Sequence, residues 1–247
     1  MESTDESFAL TAKPSRGSGE PFFLGIAVAM LAVVVAGFWP SFYFRGDGEP
    51  PLSPYLVAHG VALTAWYVLV VAQPLLIRVG GARGRVALHR RIGMASSVLV
   101  AVMLWTGFVV AVAFYRKGTG DIVVSASALL FANLFNLIGL TICYIAGVVH
   151  RRNPHVHKRY MTWASVVIIA PATFRLVRGL GLPPWSAAIG QLVFVAVLLV
   201  YDYKRTKRIH RPTWIGTAIV LFQMLGSFTI GSSAPWADLA EALFSSN

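Results

Sequence analysis

Residues 89–117 read HRRIGMASSVLVAVMLWTGFVVAVAFYRK. From Ile92 to Tyr115 the stretch holds no charge, and basic residues close it at both ends. A helix rises about 1.5 Å per residue and the hydrocarbon layer is about 30 Å thick, so about 20 apolar residues cross it. This run is long enough. Its composition points to lipid, not water, as the solvent of the fold.

The same reading extends to the rest of the chain. Of its 247 residues, 56% are hydrophobic and 13% charged, against about 25% charged in a soluble domain. Seven spans are expected: Phe22–Phe38, Pro54–Ile77, Ile92–Tyr115, Ile122–Val149, Tyr160–Val177, Trp185–Tyr203 and Thr213–Ile230. Trp39, Tyr160 and Trp214 close the three short ones as interfacial anchors. The expected fold is therefore an all-α polytopic bundle of seven transmembrane helices over residues 21–231. Residues 1–20, rich in Ser, Thr, Gly and charge, are expected to form a disordered tail. The acids Glu2, Asp5, Glu6 and Glu20 do not make the basic start of a cleaved signal, so the first span should stay in the mature protein. Residues 232–247 read as a short helix on the outer surface, with Pro235 in its first turn and Trp236, Leu239, Leu243 and Phe244 on one face.

The formal charge of +11 would suggest nucleic acid in a soluble protein. Here the bases sit in short loops beside apolar runs, so a nucleic-acid partner is excluded and membrane lipids are expected instead. With the N-terminus in the cytoplasm, sixteen of the 21 Lys and Arg residues fall inside and only Arg45, Arg116, Lys117, Arg175 and Arg178 outside, as the positive-inside rule requires. Cys143, the one cysteine, precludes an intramolecular disulfide.

Three inner loops end alike: His89-Arg90-Arg91, His157-Lys158-Arg159 and His210-Arg211, each just before a span. Two readings stay open. These residues are interfacial anchors, or the three histidines share a site. A helix N-terminus disfavours a cation, so the imidazoles should be neutral, the form that binds metal or heme iron. Asp202 is a candidate fourth ligand. Heme b and a divalent metal are the candidate cofactors. Capture of a phosphate group by the same basic ends is a third option.

Inside the spans, His59, Trp66 and Gln73 recur every seven residues and make one stripe, expected to face other helices. Asn133 and Asn136 share a face of span 4. Arg175 lies five turns after His157 and should share its face, with Pro171 between them as a kink. It is a candidate for an anionic group outside. No Asp or Glu falls mid-span, and no HExxH, GxSxG or phosphate loop appears.

The blocks His59-Gly60 with Trp66 and Gln73, Leu88-His89-Arg90-Arg91-Ile92-Gly93, His157-Lys158-Arg159-Tyr160-Met161 and Asp202 to His210 resemble an uncharacterised family of seven-span bacterial membrane proteins. The resemblance implies this fold and a bacterial inner membrane, and no activity. His59, His89 and His157 are also similar to the heme-holding histidines of cytochrome b561-type bundles. That family pairs histidines on both sides of the membrane. Here only His59 lies in the outer half, so one heme is the most the pattern allows. The function expected is a His-ligated heme- or metal-dependent membrane oxidoreductase. The alternatives are a carrier of lipid or a small anion, and a subunit packed against other membrane subunits.

Overall fold

The computed structural model describes residues 20–79, 83–118 and 124–245. The tail expected over residues 1–20 lies, apart from Glu20, outside them. Within the described residues the chain is helical: α1 (Glu20–Phe38), α2 (Pro54–Val79), α3 (Arg83–Lys117), α4 (Ala126–Val149), α5 (Pro154–Val166), α6 (Ala170–Gly179), α7 (Ser186–Thr206), α8 (Arg211–Thr229) and α9 (Ala234–Phe244). A π-turn, Trp39–Tyr43, follows α1. Five of these helices (α1 with its π-turn, α2, α3, α4 and α7) are each long and apolar enough to cross a membrane. Two bent pairs, α5 with α6 and α8 with α9, raise the number to as many as seven. The protein is a multi-pass helical membrane protein.

Local sequence explains the ends. Ser125 caps α4 by accepting from the Ala128 N–H at 3.2 Å. Asn153 caps α5, accepting from His155 and Val156, and Pro154 fits the first turn, where its missing N–H costs nothing. Lys207 ends α7 in the left-handed region at φ 56°, which turns the chain back into α8 within a few residues.

The principal helix contacts are α1 on α2 and α6, α2 on α3, α3 on α4, α4 on α5 and α8, and α6 on α7. The axis is α5, which touches α1, α2, α4, α7 and α8. Every residue from Thr162 to Ile169 is buried. This central helix is interrupted. A bend of 47° separates α5 from α6, and Pro171 stands at the start of α6. A break in hydrocarbon strands backbone carbonyls, which need partners there. The Tyr67 hydroxyl donates to the Ser165 carbonyl at 2.9 Å and the Gln191 amide to the Val166 carbonyl at 3.0 Å. Trp66 Nε1 donates to Ser165 Oγ at 3.1 Å.

Two expectations need correction. The break takes Arg175 off the face that carries His157: His157 meets α4, and Arg175 lies over Phe38 of α1. Helices α3 and α5 start well before their expected spans, so His89 and His157 sit inside them, and only His210 is an N-cap. Their neutrality cannot rest on the helix-terminus argument. In α9, bent 94° from α8, the face turned to the bundle carries Trp236, Ala240 and Phe244, while Leu239 and Leu243 are exposed. Trp236 Nε1 donates to the Ser127 carbonyl, and Arg116 Nε to that of Phe244.

Helix α1 approaches the interrupted helix closely. A Cβ on Gly37 would overlap the Ala172 carbonyl oxygen, and a helix backbone cannot yield as a side-chain tip can. Gly37→Ala is expected to cost about 1–3 kcal/mol, the usual range for overpacking. Thermal unfolding in detergent checks it, with Gly25→Ala, where the Cβ meets open space, as the neutral control.

Candidate functional site

The basic end of the bundle gathers the ends of α2, α4 and α7 and the beginnings of α3, α5 and α8. Four polar residues singled out by sequence lie there, and they divide into two groups.

Asp202 and His210 belong to the first, a structural hub. Asp202 is 1% exposed. Its Oδ1 accepts from Arg159 Nε at 2.9 Å and Nη2 at 2.6 Å. Its Oδ2 accepts from the His210 backbone N–H at 3.1 Å and the Thr213 hydroxyl at 2.6 Å. Arg159 spends a further donor on the His155 carbonyl at 2.7 Å. Four donors occupy the carboxylate, and it ties α5, α7 and α8 together. As a metal ligand Asp202 is already committed. His210 is also committed. Thr206 Oγ1 sends its proton to the Asp202 and Arg208 carbonyls, so its contact with His210 Nε2 at 3.2 Å needs a proton on that nitrogen. Partial burial and then the Arg159 charge hold the His210 imidazole below its ordinary pKa, against the opposing pull of Asp202. Among the described residues no three His, Cys, Asp or Glu side chains are placed to hold a metal ion. The four-membered set His89, His157, His210 and Asp202 is therefore not assembled.

His89 and His157 form the second group. Their ring centroids are 6.4 Å apart and nearly perpendicular, at 83°. His157 Nδ1 meets the Gly147 carbonyl of α4 at 2.8 Å. A carbonyl only accepts, so Nδ1 carries a proton and Nε2 is the ring nitrogen left for another partner. In His89, Nδ1 is buried with no partner. Gln73 buries both atoms of its side-chain amide without a partner. Met161, one turn beyond His157, completes the corner. Its Sδ lies 3.5 Å from where a Cβ on Gly147 would stand. The corner thus gathers two imidazoles, a thioether and an unpartnered amide, and the His157 ring is fixed by the Gly147 carbonyl.

The stripe on α2 faces inward. Trp66 is 1% exposed, and His59 meets Thr106 of α3. His59 and Arg175 lie at the opposite end of the bundle from the histidine pair. Sequence reasoning missed Gln191 and Tyr67, which serve the break, and took Arg159 for a loop base. The signal was present for Arg159, which stands i+4 from His155 on an amphipathic helix, with an acid, Asp202, in a span that needs a counter-ion. Two surface grooves are lined, one by Phe22, Val200, Tyr201, Lys204 and Arg205 and one by Leu104, Phe108, Leu134 and Leu137; Leu137 and the His59 ring both flank Gly107 of α3.

No protein-family model, curated protein or solved structure matches the chain.

The hub makes a separable prediction. Asp202→Ala leaves Arg159 buried and unpaired, and should cost about 3–5 kcal/mol. Replacing both partners with apolar residues, Arg159→Met with Asp202→Met, should recover most of that. A double-mutant cycle by unfolding in detergent checks it. If the double variant is no more stable than the single one, the pair is more than a mutual counter-ion.

Proposed function

We propose that this is a seven-span membrane protein of a bacterial inner membrane, N-terminus in the cytoplasm, that binds one transition-metal ion at the cytoplasmic face. The ligands are His89 Nδ1 and His157 Nε2, with Met161 and Gln73 at hand. The observation that carries the reading is the donation of the His157 Nδ1–H to the Gly147 carbonyl. Metal-ligating histidines nearly always give their second N–H to such a partner, which fixes the ring and its tautomer.

The separation of the rings fits. Two imidazoles on opposite sides of one ion, each nitrogen about 2 Å from it, place their centroids about 6 Å apart. The free nitrogen of His89 is Nδ1, beside Cβ, where a porphyrin plane would collide with the side chain and a bare ion would not. This favours an ion over heme b. Thioether and imidazole suit monovalent copper, and a single positive charge is tolerated better than two beside Arg90, Arg91 and Lys158. An oxidoreductase is the activity that copper cycling between its oxidation states would serve.

Purified protein, titrated with Cu(I) under reducing conditions against a chelator, should take up one ion per chain. His89→Ala or His157→Ala should weaken binding by about 100-fold or more, Met161→Leu should weaken it less, and His210→Ala should leave it unchanged. Copper binding indifferent to His89 and His157, or a heme absorbance band lost in both alanine variants, would sink the copper reading.

The orientation rests on the sixteen-to-five split of bases. Reporter fusions at Asp47, Thr119 and the C-terminus should report the outside, and those at Ala82 and Asn153 the cytoplasm. A cytoplasmic C-terminus would remove one span and with it the seven-span count.

A further inference from the structure

One surface groove runs between α1 and α7. Ala196, Val200, Tyr201, Lys204 and Arg205 line it on α7, and Phe22 lines it on α1. Ala196, Val200 and Lys204 stand four residues apart, as do Tyr201 and Arg205, so they share one helix face. Both helices pack on α5 and α6, which leaves a cleft between their outer flanks. The Phe22 and Tyr201 rings stack across it, with centroids 3.7 Å apart and planes within 7°. That stack fixes the two walls to each other.

The α7 wall changes character along its length. Ala196 and Val200 are apolar and exposed, and the face ends in two exposed bases, Lys204 and Arg205, in the last turn of the helix. From Ala196 to Arg205 the helix rises about 14 Å, close to half the hydrocarbon layer of about 30 Å. The groove holds about 490 Å³, the size of a small-ligand cleft. Among the described residues the ion pairs are Arg45–Glu49 and Arg159–Asp202, so neither Lys204 nor Arg205 has a carboxylate partner. Asp202, the acid on the same helix, is buried and taken by Arg159, His210 and Thr213. A third base stands nearby. Lys158 Nζ lies 4.8 Å from the Phe23 ring centroid, and Phe23 meets Tyr201 edge-on at 5.4 Å.

We infer that this groove seats one anionic phospholipid of the leaflet at the basic end, with an acyl chain along Ala196 and Val200 against Phe22 and the phosphate on Lys204 and Arg205. An apolar chain one leaflet long, ending in a phosphate diester, matches the order of surfaces along the wall. The uncompensated positive charge selects a headgroup without an amine of its own. Bases that snorkel from a flat helix face hold lipid by charge alone. Here the apolar wall makes retention depend on shape as well. The site uses neither histidine of the proposed copper site, so the two readings stand or fall separately.

Native mass spectrometry of the full chain in detergent tests it, with added phosphatidylglycerol or phosphatidylcholine of the same acyl chains. Phosphatidylglycerol should be retained about 25-fold over phosphatidylcholine, about fivefold for each base. Lys204→Gln with Arg205→Gln should abolish that preference. Ala196→Trp, which fills the groove and leaves the bases in place, should release both lipids. Val200→Trp, a second filling variant at an exposed position, guards against a fold defect in the first. Arg90→Gln with Arg91→Gln, exposed bases at the same end but outside the groove, should change neither lipid. An equal loss from the Arg90 and Arg91 variant would reduce the effect to general charge at that end and overturn the proposal. So would filling variants that keep both lipids, or a wild type without preference. A wild-type dimer dispersed by Ala196→Trp would give the groove to a second copy, and retention that appears only when residues 2–19 are removed would give it to that segment. Either result also overturns the lipid assignment.

Discussion

A peptide carbonyl in hydrocarbon must have a donor, and in this bundle the demand falls at its centre. The helix that touches five others is the one that breaks. A continuous helix would satisfy itself and leave its neighbours to pack by shape alone. The broken one needs Tyr67 from α2 and Gln191 from α7, and each must stand at one depth and angle. Trp66 adds its bond to Ser165. The break thereby fixes the register of α2 and α7 around α5, and it parts the helix into two halves that face different neighbours. His157 is presented to α4 and α3 at one end, and Arg175 to α1 at the other.

Below the break, the buried Arg159–Asp202 pair closes the basic end. Such a pair adds little net stability over an apolar one of the same shape, because both ions lose their hydration. What it supplies is specificity. Arg159 Nε and Nη2 converge on one carboxylate oxygen while the other takes a backbone N–H and a hydroxyl from the α7–α8 connection. Only one seating of α8 against α5 satisfies all four. The left-handed Lys207 makes that connection tight enough for the His210 backbone to reach Asp202.

The long apolar helices were legible because hydropathy is a property of whole segments, and α1 to α4 and α7 carry it without interruption. Pro171 announced a kink by chemistry that needs no context, since it has no N–H to give. The partners of that kink were not legible. Tyr67 and Gln191 are ordinary polar residues of apolar helices until the carbonyls they serve are located. Nor could the repeat of His before base reveal where the helices begin. Those of α3 and α5 run past the hydrocarbon into the basic end, so three histidines similar in sequence take different roles. His210 caps a helix and bonds Thr206. His89 and His157 face each other, because Gly147 lets the α5 side chains lie against α4. The stripe of His59, Trp66 and Gln73 was legible as a stripe, since a period of seven survives any rotation of the helix, yet its three members serve three different neighbourhoods.

An ion bound at the histidine pair, as proposed, would contend with the surrounding bases, and their placement decides how strongly. Arg159, two residues from His157, is neutralised by Asp202 and so adds little field, and Lys158 lies over the Phe23 ring. Arg90 and Arg91 are exposed, where water and salt shorten their reach to about 8–10 Å. The exposed bases and the histidine pair therefore share one end of the bundle: Arg90 and Arg91 face its surroundings, and the two imidazoles lie against each other.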